Sequence, residues 1–139
     1  MKTWVIAGAL GTLGTLAACG VSITTPTEPI VTVVGDTTFV QLPVETSVMV
    51  DAVSINFDRV TEDSRCPFGV TCVWAGNGRI ELTVSDGVDT QVLGLNTDTP
   101  PTEGDFGGFT IRLDQLDPYP LAGRPTRPSS YVATIAVFP

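Results

Sequence analysis

The 139-residue sequence contains no histidine, and its only lysine is Lys2. Without histidine there is no Ser-His-Asp or Cys-His nucleophile pair and no histidine-ligated zinc. Beyond Lys2 no amine is left to form a Schiff base or to grip phosphate in a P-loop. Positive charge is scarce altogether: 7 Lys+Arg face 15 Asp+Glu, a formal net charge of −8. That balance argues against nucleic acid as a partner and against charge-driven adhesion to anionic lipid. No cofactor is expected, and no metal. The length supports one domain rather than two.

Helix formers are also in short supply. Lys, Glu, Gln and Met are few, Pro and Gly interrupt the chain at short intervals, and Thr and Val dominate after residue 19. This composition favours strands. Ile80, Leu82 and Val84 alternate with Arg79, Glu81, Thr83 and Ser85, the pattern of a half-buried strand. Phe109, Ile111 and Leu113 alternate in the same way with Thr110, Arg112 and Asp114, and Tyr131, Ala133, Ile135 and Val137 with residues apolar enough to suggest burial on both faces. Residues 30–34, 37–42 and 47–57 supply earlier strands. In the last, the apolar phase slips from Val48/Val50 to Val53/Ile55/Phe57, which requires a bulge or a turn at Asp51-Ala52. Residues 91–95 form a further strand, joined to 79–85 through Asp86-Gly87. Seven or eight short strands of this kind predict an all-β domain. An antiparallel β-sandwich of Ig-like or Greek-key type is expected, with a small barrel as the second choice.

The N-terminus has a different character. Lys2 is followed by an uncharged run from Thr3 to Ala18, shorter than a membrane-spanning helix needs and diluted by Gly and Thr. A basic start, a short apolar stretch and small residues at its end are the layout of a secretory signal peptide. Leu16-Ala17-Ala18-Cys19 resembles the lipobox of bacterial lipoprotein precursors. The resemblance implies lipidation of the Cys19 sulfur and cleavage before it, with residues 1–18 as signal peptide. Two or three acyl chains give stable anchoring where one does not. Gly20 in place of Asp favours the outer membrane if the source has two. Residues 19–29, small, Thr-rich and broken by Pro26 and Pro29, read as lipidated N-terminus and tether, and 30–139 as the folded domain.

With Cys19 assigned to lipid, Cys66 and Cys72 remain as an even pair. In an exported chain they read as a disulfide; two thiolates without histidine are too few for a closed zinc site, and their spacing is not that of a thioredoxin-type motif. The surrounding Asp63-Ser64-Arg65-Cys66-Pro67, Val70 and Cys72-Val73-Trp74-Ala75-Gly76 resemble a motif of small, uncharacterised bacterial secreted proteins and lipoproteins. Ile55-Asn56-Phe57 before it, residues 80–84 and 109–116 after it, Pro118-Tyr119-Pro120 and the closing strand from Tyr131 extend the likeness over most of the domain. It implies an all-β extracytoplasmic domain and conveys no activity.

Closing the short ring between Cys66 and Cys72 contributes about 2–2.5 kcal/mol in the loop-entropy view. Trp74, two residues past Cys72, is expected to pack on the disulfide and plug one end of the core. The functional alternative places Trp74 and Phe68 on an exposed recognition surface with Arg65 as an anchoring cation. Asp58, Glu62 and Asp63 lie near Arg59, Arg65 and Arg79, and read first as ion pairs. Asn96, Asp98, Glu103 and Asp105 offer oxygen ligands for calcium but lack EF-hand spacing, and a solvated acidic loop is the simpler expectation. Residues 118–130 hold Arg124 and Arg127 and no acid, a rigid linker or a positive spot. The expectation is thus a non-catalytic, membrane-anchored envelope module, structural or binding, with an unidentified envelope protein or ligand as partner. A protein-directed inhibitor using the pinned loop is the alternative, and a carboxylate-dependent hydrolase is a distant third.

Overall fold

The computed structural model describes residues 27–139, so the signal-peptide reading, Cys19 and most of the tether lie outside the described residues. Strands β1 (Ile30–Val34) and β2 (Thr37–Pro43) open the domain, followed by β3 (Ser47–Val50), β4 (Val53–Asp63), β5 (Gly78–Ser85) and β6 (Thr90–Asn96). The chain closes with β7 (Glu103–Phe106), β8 (Phe109–Asp117) and β9 (Val132–Phe138), the last preceded by a 3-10 turn at Pro128–Ser130. The strands form two antiparallel sheets, one in the order β1-β2-β9-β8-β7 and the other β3-β4-β5-β6. This is an open two-sheet sandwich, not a closed barrel. Its one non-consecutive pairing, β2 with β9, brings the ends of the domain together in a Greek-key type of crossover.

Period-2 patterning builds the core. In β5 the residues Ile80, Leu82 and Val84 are buried while their neighbours are not. With Ile55 and Phe57 of the neighbouring β4 and, across the sheets, Val40, Leu42, Ile111 and Ile135, they form a single cluster. Fully burying side chains of this size stabilises by roughly 1.5–3 kcal/mol each. Strand β9 lies between β2 and β8 and is buried on both faces along most of its length, as its sequence predicts.

The phase slip in residues 47–57 is a turn: Val50 pairs with Val53 across Asp51-Ala52, with Asp51 at φ 50°. A bulge does occur later in β4, where the register with β5 shifts between Phe57 and Arg59 and again between Val60 and Glu62. The ninth strand is β7, which falls within the stretch read from sequence as an acidic loop. Gly107 and Gly108, both at positive φ (61° and 84°), close a two-residue hairpin that pairs Phe106 with Phe109.

The connections are unevenly distributed. Residues 35–36, 51–52, 86–89 and 107–108 make short turns at one end of the sandwich. The three longest connections, 64–77, 97–102 and 118–131, all lie at the other end. Among the described residues no helix is long and apolar enough to cross a membrane.

Candidate functional site: a braced aromatic tip

The connection 64–77 begins as a continuation of the β4–β5 ribbon. Ser64 N donates to Asn77 O (2.8 Å) and Cys66 N to Ala75 O (2.7 Å). Gly76 is required there: at φ 75° a Cβ would lie 1.8 Å from the Ser64 carbonyl oxygen. Beyond this ribbon the Cys66–Cys72 disulfide closes the loop, with the two Cα atoms 5.9 Å apart. Pro67 and Gly69, the latter at φ 94°, make the turn inside the ring, and Val70 N donates to Pro67 O.

This loop is fastened to a second one. Phe68 N donates to Pro120 O (2.9 Å) and Ala122 N to Phe68 O (3.2 Å), a short parallel bridge between residues 68 and 121. Beneath the bridge lies Arg65, only 5% exposed. Its Nε and Nη2 donate to the two carboxylate oxygens of Asp63, each at 2.8 Å, in a bidentate pair. Nη1 donates to Leu116 O and Nη2 also to Pro118 O (3.0 Å), while the guanidinium faces the Tyr119 ring at 5.2 Å. Tyr131 Oη donates to Asp63 Oδ2 (2.8 Å), tying the start of β9 to the end of β4.

Burial disfavours the Asp63 carboxylate, but hydrogen bonds from Arg65 and Tyr131 and the charge of Arg65 outweigh it and hold its pKa below the ordinary value. For Arg65, burial pulls the pKa down and Asp63 more than restores it, to a net rise. The Tyr131 hydroxyl is pushed up by burial and by its bond to the Asp63 anion. The three groups therefore form a closed polar brace under the loop, with Asp63 firmly ionised.

Two expectations for this region are corrected. Trp74 does not plug the core: it is 80% exposed. Strand β4 ends at Asp63 and β5 begins only at Gly78, so Cys72 and Trp74 share no strand face, and the Arg65 brace occupies the end of the sandwich instead. Arg65 is not an exposed anchoring cation, because all its directional bonding is turned inward. Phe68 (74% exposed) stands out, together with Val70, Val73 (87%), Trp74, Tyr119 and Leu121. These apolar side chains form the tip of the domain.

The other sequence candidates do not converge on chemistry. Asp58 accepts hydrogen bonds from Asn56 and Thr83 (2.7 Å for the latter), and Glu62 accepts from Ser64. Arg59 pairs with Glu81 at 2.7 Å. Asn96 is buried as a structural residue, accepting from Asn77 Nδ2 (2.9 Å) and donating to Pro101 O (3.1 Å). Asp98 sits in the following turn, whereas Glu103 and Asp105 lie on β7, so the set is divided between two elements. Among the described residues no three Cys, Asp or Glu side chains group as a metal site. A groove of ≈ 380 Å³ is lined by Glu45, Asp58, Glu62, Asp63 and Tyr131 among others. The carboxylate in it with a perturbed pKa, Asp63, is shifted away from proton donation. The ion-pair reading of this cluster holds for Asp63 with Arg65; what sequence reasoning missed is the burial of the pair and its long-range partners, Leu116 O, Pro118 O and Tyr131 Oη. Compared with protein-family models, curated proteins and solved structures, the chain finds no match.

Proposed function

We propose that the protein is a lipid-anchored, extracytoplasmic component of a bacterial envelope, held through Cys19, and that its sandwich is a non-catalytic module whose contact surface is the braced aromatic tip. If the source has two membranes, the outer one carries it. The observation that carries the contact surface is the exposure of Phe68 and Trp74 on a loop held by a disulfide, a parallel bridge and a buried ion pair. Exposed aromatics are costly to leave in water, and large contiguous apolar patches mark interaction sites. A preordered loop also loses little entropy on binding. The anchor is supported by Leu16-Ala17-Ala18-Cys19 following an uncharged run. Against catalysis stands the engagement of Asp63 in an ion pair and of Asp58 in hydrogen bonds from Asn56 and Thr83.

A protein-directed inhibitor or effector is the second reading. A conformationally locked loop with Phe68 at its turn is the form such an element takes. Crosslinking and affinity capture from the native envelope test the contact surface. Alanine at Phe68 and Trp74 is expected to abolish crosslinking of the tip to the envelope component it touches, lipid or protein, with an unchanged melting temperature. Crosslinking unaffected by both substitutions removes the tip from the reading. Replacing Cys19 by Ser is expected to stop processing and acyl-mass addition in the membrane fraction; a mature chain that starts elsewhere and carries no acyl mass refutes the anchor.

A further inference from the structure

We infer that the tip docks into the headgroup region of the same bilayer that holds the anchor, an inference that rests on the lipid-anchor reading of Cys19.

The first reason is where the chain enters the domain. Ile30 pairs with Gln41, Gln41 with Thr134, and Thr134 with Gln115. Two residues further along, Pro43 pairs with Val132 and Val132 with Asp117, the residue at which the second tip loop begins. Going backwards from Ile30, β1 therefore heads towards the tip end of the sandwich. Three strand spacings, about 14 Å, separate β1 from β8, and the facing sheet lies roughly 10 Å away. The eleven-residue step from Cys19 to Ile30 spans at most about 40 Å. The chain thus enters the domain at the tip end, within tether reach of Cys19, and contact with the anchoring bilayer becomes an intramolecular event needing only modest affinity.

Side-chain chemistry supplies the second reason. Trp, Tyr and Phe bearing an apolar body and, for two of them, a polar handle are the residues that settle at membrane–water interfaces. Here Trp74, Phe68 and Val73 on one tip loop and Tyr119 and Leu121 on the other, the two bridged at residues 68 and 121, are all exposed.

Charge is the third. Neither residues 64–77 nor 118–131 contain Asp or Glu, in a chain with 15 of them. Those two segments hold Arg65, Arg124 and Arg127, half of the arginines in the described domain. Arg124 and Arg127 are exposed and form no salt bridge among the described residues. The two loops that carry the aromatics thus hold no anion and present two exposed arginines to lipid phosphates, while Glu45, Glu62 and Asp98 on neighbouring segments at the same end confine the contact to those loops.

Trp74 reports on the contact directly. The chain has two tryptophans, Trp4 and Trp74, and cleavage before Cys19 removes the first. Mature protein purified from membranes is reconstituted into phosphatidylethanolamine–phosphatidylglycerol vesicles, its acyl mass is measured, and quenching by lipids brominated near the headgroup is recorded. A blue shift with strong quenching is expected. Val73→Asp, at a side chain with no packing role, should abolish the quenching without lowering the melting temperature. Arg124→Glu with Arg127→Glu should weaken it. Acylated protein with solvent-like, unquenched Trp74 overturns the docking and leaves the anchor standing, as does quenching that survives Val73→Asp. Trp74 shielded by a crosslinked envelope protein instead of lipid also overturns it, in favour of a protein partner. Protein without acyl mass removes the anchor reading and the docking with it.

Discussion

Replacing Arg65 by Ala should be among the most destabilising single changes outside the apolar core. The guanidinium is almost fully buried and holds both oxygens of Asp63 and two backbone carbonyls, Leu116 O and Pro118 O. Truncation leaves a part-buried carboxylate with Tyr131 as its remaining side-chain donor, and removes a donor from each of two backbone carbonyls. Breaking a buried pair by removing one member costs about 3–5 kcal/mol, because the other charge stays behind. Water can enter from the loop side once the side chain is gone, so the lower figure of about 3 kcal/mol is expected. For a domain of this size that corresponds to roughly 12 °C in Tm. Urea melts followed by far-ultraviolet circular dichroism are the appropriate assay, since exposed Trp74 reports poorly on unfolding. Removing Asp63 as well should cost less than the two single changes added together, because it deletes the orphaned charge. An Arg65→Ala domain within about 1 kcal/mol of wild type, the range of an ordinary surface substitution, would refute the brace.

Four further outcomes follow from the same geometry. Because the Asp63 pKa is lowered on folding, its stabilisation is complete above about pH 4, its unfolded value, and is lost as pH falls through the lower folded value; acid titration of wild type and Arg65→Ala should show the steeper loss in wild type. The raised Tyr131 hydroxyl gives the opposite limb, with stability present below about pH 10 and lost as pH rises through the folded value; with no histidine in the chain, melts between these limbs should be nearly independent of pH. Gly76→Ala forces Cβ into the Ser64 carbonyl and should cost well over the roughly 1 kcal/mol expected for Gly35→Ala, which meets open space at a similar φ; paired chemical melts read the difference. Reducing Cys66–Cys72 should lower stability by about 2 kcal/mol and no more, since Trp74 does not pack on the bridge, and calorimetry with and without reductant measures it.

Strand alternation was readable because burial follows a period of two whatever the partner strand is. Ile80, Leu82 and Val84 declare an inward face, and so do Ile111 with Leu113 and Ile135 with Val137. Strand β7 was hidden because Glu103, Gly104 and Asp105 are poor strand formers, and only the Gly107-Gly108 turn between Phe106 and Phe109 marks the hairpin. The cysteine pair was legible by counting, and the structure joins it. The fate of Trp74 was not legible, since its exposure depends on where β4 stops and on what fills the end of the sandwich. That filler is Arg65, whose carbonyl partners lie 51 and 53 residues away in the chain. Local pattern carries strands; it does not carry a side chain's choice of a distant backbone oxygen.

The brace also explains why the tip can be apolar without being absorbed into the core. Residues of this kind normally fold inward, and the end of an open sandwich offers them a place to go. Here the place is taken by an ion pair whose polar atoms are all satisfied; among the described residues no buried side-chain polar atom lacks a partner. With Arg65 filling the opening and Tyr131 clamping Asp63 from β9, Phe68 and Trp74 have no cavity to enter. The disulfide and the bridge to Leu121 then fix them on the outside. At the opposite end the turns are short, with little chain to spare beyond what reverses a strand. The long connections, the exposed aromatics and the acid-free segments coincide at the end where β1 begins. A fold needing only closure would have no reason to concentrate them there, whereas a module that makes contact at that end would.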